Sequence, residues 1–171
     1  MRPCLALLLL FSIPVFADGS SPPTPPRQPE SKEVKPYLLA SLRRTACYGR
    51  CPSYLLEVFS DGVVKWYGER WVKVTGTAVT QLSPAQLDAL RAAFAHAKYF
   101  DLGGGYDCHD VTDNPWAITS FSDGTRTKEL KHYYGCRSKK GVEVLTRLER
   151  RIDDIVGTAR WVGPEKERMK Q

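Results

Sequence analysis

The alternation of apolar and polar residues along the chain predicts a series of strands, at residues 38–44, 54–60, 63–70, 73–81, 116–122 and 125–132. Asp-Gly dipeptides occupy positions 61–62 and 123–124, between two pairs of these strands. This dipeptide is typical of the tight turns that join antiparallel strands. The pattern therefore predicts two β-hairpins.

The first dipeptide also predicts how its two strands are aligned. A two-residue loop at 61–62 pairs Phe59 with Val64 and Leu56 with Tyr67. These two pairs point to opposite faces of a sheet, since side chains alternate along a strand. We therefore expect the first hairpin to be partly covered on both faces.

Two further segments have apolar residues at helical spacing. Before the first, Ser83 is the expected N-cap, Pro84 takes the first helical position and Gln86 completes a capping box, with the helix extending to about residue 98. The second covers residues 138–156 and ends at Gly157. The predicted fold is α+β, an antiparallel sheet of about five to six strands with two helices packed mainly on one face.

The N-terminal residues differ in composition from this predicted domain. Residues 1–17 have the order of a cleavable signal peptide: Arg2, a run of about a dozen mostly apolar residues, and small side chains up to Ala17. That run is shorter than the ~20 residues needed to span a bilayer, so no stable membrane anchor is expected after cleavage. We therefore expect an exported protein, located in the periplasm or outside the cell.

The remaining chain divides into three parts. Residues 18–36 are rich in proline and polar residues and are predicted to form a disordered tether. Residues 37–162 form the single globular domain, and residues 163–171 form a charged C-terminal tail.

The net charge of the chain indicates which kinds of partner it would attract. The chain has 25 lysines and arginines against 19 acidic residues, a formal net charge of +6. Spread along an exported chain, this charge indicates a mild attraction to anionic envelope polymers. Nucleic-acid binding is not expected, because the sequence has no stripe in which basic and aromatic residues alternate.

Four cysteines remain after signal cleavage, and in an oxidising compartment they predict two disulfides. Three pairings are possible; we favour Cys47–Cys51 and Cys108–Cys136. Four extended residues span about 13 Å, whereas bridged Cα atoms lie roughly 4.4–6.8 Å apart, so a Cys47–Cys51 bridge requires a turn. Gly49 allows that turn. Zinc binding and thiol redox chemistry are the alternatives, and the C-x3-C spacing is poor for both.

The domain resembles a bacterial family of exported domains of unknown function. The resemblance covers residues 38–162 and is carried by segments RTACYGRCPSY at 44–54, DG at 61–62, VKVTG at 72–76, SP at 83–84, YFDL at 99–102, VTDNP at 111–115, HY at 132–133 and GTARW at 157–161. It implies an exported or envelope-associated module and agrees with the α+β prediction. It supplies no activity.

The most polar segment, residues 106–113, holds three aspartates and His109. We interpret it as a solvated loop in which Thr112 and Asp113 bond nearby backbone, rather than as a metal site. The second bridge brings His132 and Tyr133 towards this loop. Asp113 and His132 are therefore candidates for an acid–base pair.

Two classes of function remain. The first is a non-catalytic, disulfide-stabilised module that binds an envelope or extracellular protein, a peptide or an anionic polymer, with inhibition of a hydrolase as one version. Its candidate contacts include the aromatic hairpin residues Trp66, Tyr67 and Trp71, together with Thr112, Asp113, His132 and Tyr133. The alternative is a small hydrolase using Asp113 and His132, with or without a metal. No catalytic motif is present, and no cofactor is expected.

Overall fold

The computed structural model describes residues 35–108 and 110–168. The predicted signal peptide, nearly all of the predicted tether and His109 lie outside the described residues. The last three residues of the predicted tail, 169–171, also lie outside them.

The core of the domain is a six-stranded sheet in the spatial order β4-β3-β2-β1-β5-β6, with every neighbouring pair antiparallel. The strands are β1 (Leu38–Arg44), β2 (Ser53–Phe59), β3 (Val63–Arg70), β4 (Gly76–Gln81), β5 (Trp116–Ser122) and β6 (Thr127–Tyr133). The α-helices are α1 (Pro84–His96), which follows β4, α2 (Val142–Val156), which follows β6, and the short α3 (Ala159–Val162), which follows α2. The α+β prediction is confirmed.

The predicted register of the first hairpin is wrong by one residue. Val58 lies opposite Val64 and Leu56 lies opposite Trp66. The reason is a three-residue loop in which Gly62 has a φ of 88°, a conformation that favours glycine. Buried apolar side chains of the two strands now lie opposite each other on one face, where Tyr54, Leu56 and Val58 of β2 and Val64 and Trp66 of β3 join the core shared with the helices.

The N-terminus of α1 has the predicted cap. The backbone N–H of Gln86 donates to the Ser83 hydroxyl, and the Gln86 side chain accepts from the backbone N–H of Ser83. Leu90 and Phe94 of this helix are buried against the sheet. The predicted end of α2 is also present, because Gly157 is its C-cap, with a φ of 73°.

Three predicted boundaries move because backbone groups near them form hydrogen bonds outside the regular helix and strand patterns. The backbone N–H groups of Lys73 and Val74 donate to carbonyls of the C-terminal segment, so β4 begins only at Gly76. The backbone N–H of Ser138 donates to Asp110, and α2 begins at Val142. Asp123 accepts from two backbone N–H groups of its own turn, which delays β6 to Thr127.

The described part of the predicted C-terminal tail packs against the domain. Residues Glu165–Glu167 form a short 3-10 turn, and Glu167 forms an ion pair with Lys73 at 2.9 Å. Just before it, the Trp161 ring stacks on Trp66 at 5.1 Å between centroids. The end of the chain therefore closes one side of the core.

Both disulfides are present in the favoured pairing, Cys47–Cys51 and Cys108–Cys136. The Cα atoms of the first pair lie 5.7 Å apart, and Gly49 between them has a φ of 155°. The second bridge joins the loop after Tyr106 to the segment that follows β6, and Cys136 is completely buried. Within the described residues, no helix is long and apolar enough to cross a membrane.

We expect the two bridges to contribute unequally to stability. Removing Cys108–Cys136 with a double alanine variant should cost about 3.5 kcal/mol, against about 2 kcal/mol for Cys47–Cys51, because the longer loop loses more entropy in the unfolded chain. Urea unfolding of both double variants measures the difference, and each variant leaves no unpaired thiol. Equal losses would contradict this ranking.

Candidate functional site

A cleft of about 600 Å³ opens at the end of the sheet where β1 finishes and β2 and β5 begin. This volume lies within the roughly 300–1,000 Å³ typical of ligand sites. The cleft is lined by Arg44, Cys51, Pro52, Tyr54, Asn114, Pro115, Trp116, Tyr134, Arg150, Asp153, Asp154, Gly157, Thr158, Ala159 and Val162. Its walls are mostly apolar, whereas polar groups converge on one side.

The loops that border the cleft are bonded to each other. The backbone N–H of Thr45 donates to the Trp116 carbonyl, and the backbone N–H of Trp116 donates to the Thr45 hydroxyl. The backbone N–H of Tyr48 donates to the Asp113 carbonyl. The Cys47–Cys51 bridge closes the first of these loops. Together with the three hydrogen bonds, it holds this loop against the second one.

The polar side of the cleft is built around an ion pair between sheet and helix. Arg44, the last residue of β1, donates through Nη2 to Asp153 Oδ2 at 2.7 Å and through Nε to the same oxygen at 3.1 Å. Both side chains are less than one fifth exposed. Asp153 lies in the last turn of α2, so this pair ties the end of the helix to the middle of the sheet.

The second carboxylate oxygen of Asp153 is also bonded. Oδ1 accepts from the Tyr54 hydroxyl at 2.6 Å and from the Thr158 hydroxyl at 2.8 Å. Burial alone lowers the pKa of Arg44, but the neighbouring Tyr54, Asp153 and Tyr134 outweigh it and raise this pKa above its ordinary value. The guanidinium is therefore charged at every physiological pH.

A chain of hydrogen bonds continues from Arg44 into the core. Arg44 Nη1 donates to the Tyr134 hydroxyl at 2.7 Å, and that hydroxyl donates to Glu149 Oε2 at 2.6 Å. Glu149 Oε1 lies 3.0 Å from His132 Nδ1. Burial raises the pKa of Tyr134 to about 12, so its hydroxyl keeps its proton and can donate to Glu149.

The structure places Asp113 and His132 in different surroundings. His132 is 1% exposed and its partner is Glu149, with Nε2 unbonded among the described residues. Asp113 is an exposed loop residue with a φ of 63°, and its carboxylate accepts from the Thr112 hydroxyl. No hydrogen bond between the described atoms joins Asp113 to His132.

The other predicted contact residues are also dispersed. Trp66 is completely buried, donates to the Val74 carbonyl and stacks on Tyr54, so it belongs to the core rather than to an exposed surface. Tyr67 lies half-buried on the opposite face of the sheet. Trp71 lies under the Arg50 guanidinium. The three residues do not form one aromatic patch.

Tyr133 is nearly buried, and its hydroxyl accepts from the backbone N–H of Asn114. It therefore supports the loop that carries Thr112 and Asp113. Among residues 35–108 and 110–168, no group of three or more His, Cys, Asp or Glu side chains is placed to hold a metal ion.

The most important residues of the cleft were missed in the sequence. Glu149 and Asp153 both lie on or beside the apolar stripe of α2, four residues apart, and Glu149 is completely buried. Carboxylates on the buried face of a helix require partners, because unpaired buried charge is costly. That position was the available signal. The partners could not be identified, since they come from β1, β2 and the segment after β6.

We expect Tyr134→Phe to destabilise the domain by about 1–3 kcal/mol near pH 7, because Arg44 and Glu149 each lose a partner. The pKa of Tyr134 is about 12 in the folded protein, against about 10 for a free tyrosine. The stability from its hydroxyl is therefore complete below about pH 10 and falls by about 1.4 kcal/mol per pH unit as the pH rises towards 12.

The difference in the free energy of unfolding between wild type and Tyr134→Phe, measured with urea, should thus become smaller above pH 10. Tyr99→Phe is a positive control, because burial also raises the pKa of Tyr99 to about 12. If the destabilisation caused by Tyr134→Phe is the same at pH 9 and at about pH 11, the raised pKa of Tyr134 is contradicted.

Comparison with known proteins gives a family without an activity. No curated protein matches the chain. A family model described as "Domain of unknown function (DUF6438)" matches residues 39–156, which span the sheet and both long helices. Because this match covers more than half of the chain, the protein belongs to the DUF6438 family.

Proposed function

We propose that this protein is an exported binding module whose cleft receives a peptide segment of another protein. The observation that carries the proposal is the cleft itself, in which apolar walls lie next to the hydrogen-bonded polar side formed around Arg44 and Asp153. Ligand sites commonly combine apolar walls with a few fixed polar groups in this way. Because the side chains of the polar side are already held by hydrogen bonds, binding needs little reordering of the protein. This lowers the entropic cost of association.

Export is supported by two independent features. Residues 1–17 have the order of a signal peptide. The domain also contains two disulfides, which persist in oxidising compartments and are rare in the cytosol. We therefore place the protein's action in the periplasm or outside the cell.

The charges of the cleft favour a peptide over an anionic polymer. Arg44 and Arg150 are matched by Asp153 and Asp154, so the lining residues carry no net charge. A polyanion needs an excess of positive charge along its path. A peptide instead offers apolar side chains for the walls and backbone groups for the polar side.

Arg44 has hydrogens left for such a ligand. A guanidinium has five N–H groups. Its contacts are Nε with Asp153 and Tyr54, Nη1 with Tyr134 and Nη2 with Asp153, so each terminal nitrogen keeps one hydrogen without a described acceptor. A carbonyl or carboxylate of the peptide is the matching acceptor.

The loop closed by Cys47–Cys51 adds a contact at the border of the cleft. Cys51 lines the cleft, and Tyr48, three residues earlier, is 91% exposed. Exposed tyrosines on rigid loops are frequent anchors in protein–protein interfaces, because they bury a large area at low entropic cost. We therefore expect Tyr48 of this chain to be the residue that anchors the partner protein. The alternative of a hydrolase using Asp113 and His132 gains no geometric support.

The binding site is tested with a peptide library displayed on phage and selected against the full chain. Ala159 is exposed and lines the cleft, so Ala159→Trp fills it. We expect the selected peptides to bind Ala159→Trp at least about tenfold more weakly than wild type, measured by calorimetry. The matched control is Ala85→Trp, an exposed alanine in the first turn of α1 and distant in sequence from every cleft residue.

Ala85→Trp should bind these peptides as wild type does. Failure to select any peptide, or equal affinity of both tryptophan variants for the selected peptides, would overturn the proposed site. Unfolding curves of both variants separate loss of binding from loss of fold.

Export is tested separately by producing the full chain in a bacterial host. The protein recovered from the periplasm or medium should begin at Asp18 on N-terminal sequencing, because the predicted cleavage follows Ala17. Retention in the cytoplasm with residues 1–17 intact would contradict export.

A further inference from the structure

Among residues 35–108 and 110–168, no strand pairs with the outer side of β4, so one edge of the sheet is open there. β4 (Gly76–Gln81) is the last strand at that end, and it contains no charged residue and no proline. Its central Val79 is 65% exposed. Natural proteins usually protect edge strands with charges, prolines or a covering segment, because an open edge pairs with other strands.

The opposite edge has such protection. β6 includes Lys128, Glu129 and Lys131. In addition, Tyr106 lies beside it, and the backbone N–H of Tyr133 donates to the Tyr106 carbonyl at 2.8 Å. The contrast between the two edges shows that the exposure of β4 is a particular feature of this strand and not of the sheet in general.

The register of β3 and β4 determines which backbone groups point outward. The backbone N–H of Leu82 donates to the Gly62 carbonyl at 2.9 Å, across the register in which Val63 faces Gln81. Hydrogen bonding alternates along an antiparallel pair, so the even-numbered residues of β4 bond to β3. Thr77, Val79 and Gln81 therefore direct their backbone groups away from the sheet.

We propose that a second copy of this chain pairs with β4, antiparallel and across a two-fold axis through Val79. In this register Val79 lies opposite Val79 of the second copy, and Thr77 lies opposite Gln81. Each of the three outward residues then donates one backbone hydrogen bond and accepts one. The two sheets become one continuous antiparallel sheet.

The chemistry of β4 suits its own copy. A two-fold axis places identical strands against each other, so any charge near the axis would meet a like charge. β4 has none. The exposed side chain of Val79 would be buried against its equivalent, a favourable pair of β-branched residues.

Sedimentation velocity of the full chain tests the dimer over a range of concentrations. Wild type should reach twice the monomer mass, and Val79→Lys should remain monomeric because it places two lysines opposite each other. The matched control is Thr127→Lys, which adds the same charge at an exposed position of β6 and should dimerise as wild type does. A monomeric wild type at every concentration, or a dimeric Val79→Lys, would overturn the proposal.

Cysteine cross-linking tests the register. Directly opposed, hydrogen-bonded residues have Cβ atoms about 5.5 Å apart, beyond the roughly 3.5–4.5 Å of a disulfide but within reach of a short bis-methanethiosulfonate reagent. Val79→Cys should form a covalent dimer with this reagent. Thr77→Cys alone should not, because its equivalent lies four residues away, at about 13 Å.

Thr77→Cys mixed with Gln81→Cys should cross-link again. If Val79→Cys and Thr77→Cys cross-link to the same extent, or if neither does, the proposed pairing is excluded. Circular dichroism of each variant confirms that the monomer is folded.

Discussion

A guanidinium that is taken out of water needs acceptors for its hydrogens, and Arg44 finds them for three of its five N–H groups in three other parts of the chain. Its partners come from β2, from the segment after β6 and from the last turn of α2. Breaking a buried pair by removing one member costs about 3–5 kcal/mol, because the other charge is left unpaired. The position of α2 on the sheet is therefore restricted to arrangements that keep Asp153 beside Arg44.

This restriction also forms the site. The same contacts that fix α2 place Tyr54, Tyr134 and Thr158 around Asp153, and these residues line the cleft. Tyr54, Tyr134 and Asp153 each take part in at least two hydrogen bonds, and side chains connected in this way have little freedom to move. The contacts that position α2 therefore also make the polar side of the cleft rigid. The Cys47–Cys51 disulfide beside it holds the loop that contains Tyr48. A ligand meets a surface that is already arranged.

Most of the fold could be predicted because its signals are local. The capping box at Ser83 and the glycine after α2 are fixed by neighbouring residues, and the structure has both. The register of the first hairpin was wrong because Asp61-Gly62 fits both a two-residue and a three-residue loop. The three-residue loop puts Trp66 on the buried face, where it packs between Tyr54 and Trp161, and the contact with Trp161 joins residues 95 positions apart.

The candidate site could not be predicted for the same reason. Arg44 and Asp153 are 109 residues apart, and each is unremarkable in its own segment. Glu149 carries a usable signal, a carboxylate on the buried face of α2, whereas the sequence offers Asp113 as the candidate partner of His132. The carboxylate that His132 meets is determined by the packing of α2 over the sheet, which the local sequence does not specify.

The two proposed surfaces are compatible with each other. No residue of β4 lines the cleft, which is formed by β1, β2, β5 and the helices beyond them. A dimer joined at β4 would therefore carry two open clefts on one rigid sheet. Two linked sites bind a partner with repeated segments more tightly than one, provided that their separation matches the spacing of those segments. Because a continuous sheet fixes that separation, the dimer would select partners by spacing as well as by the sequence that enters each cleft.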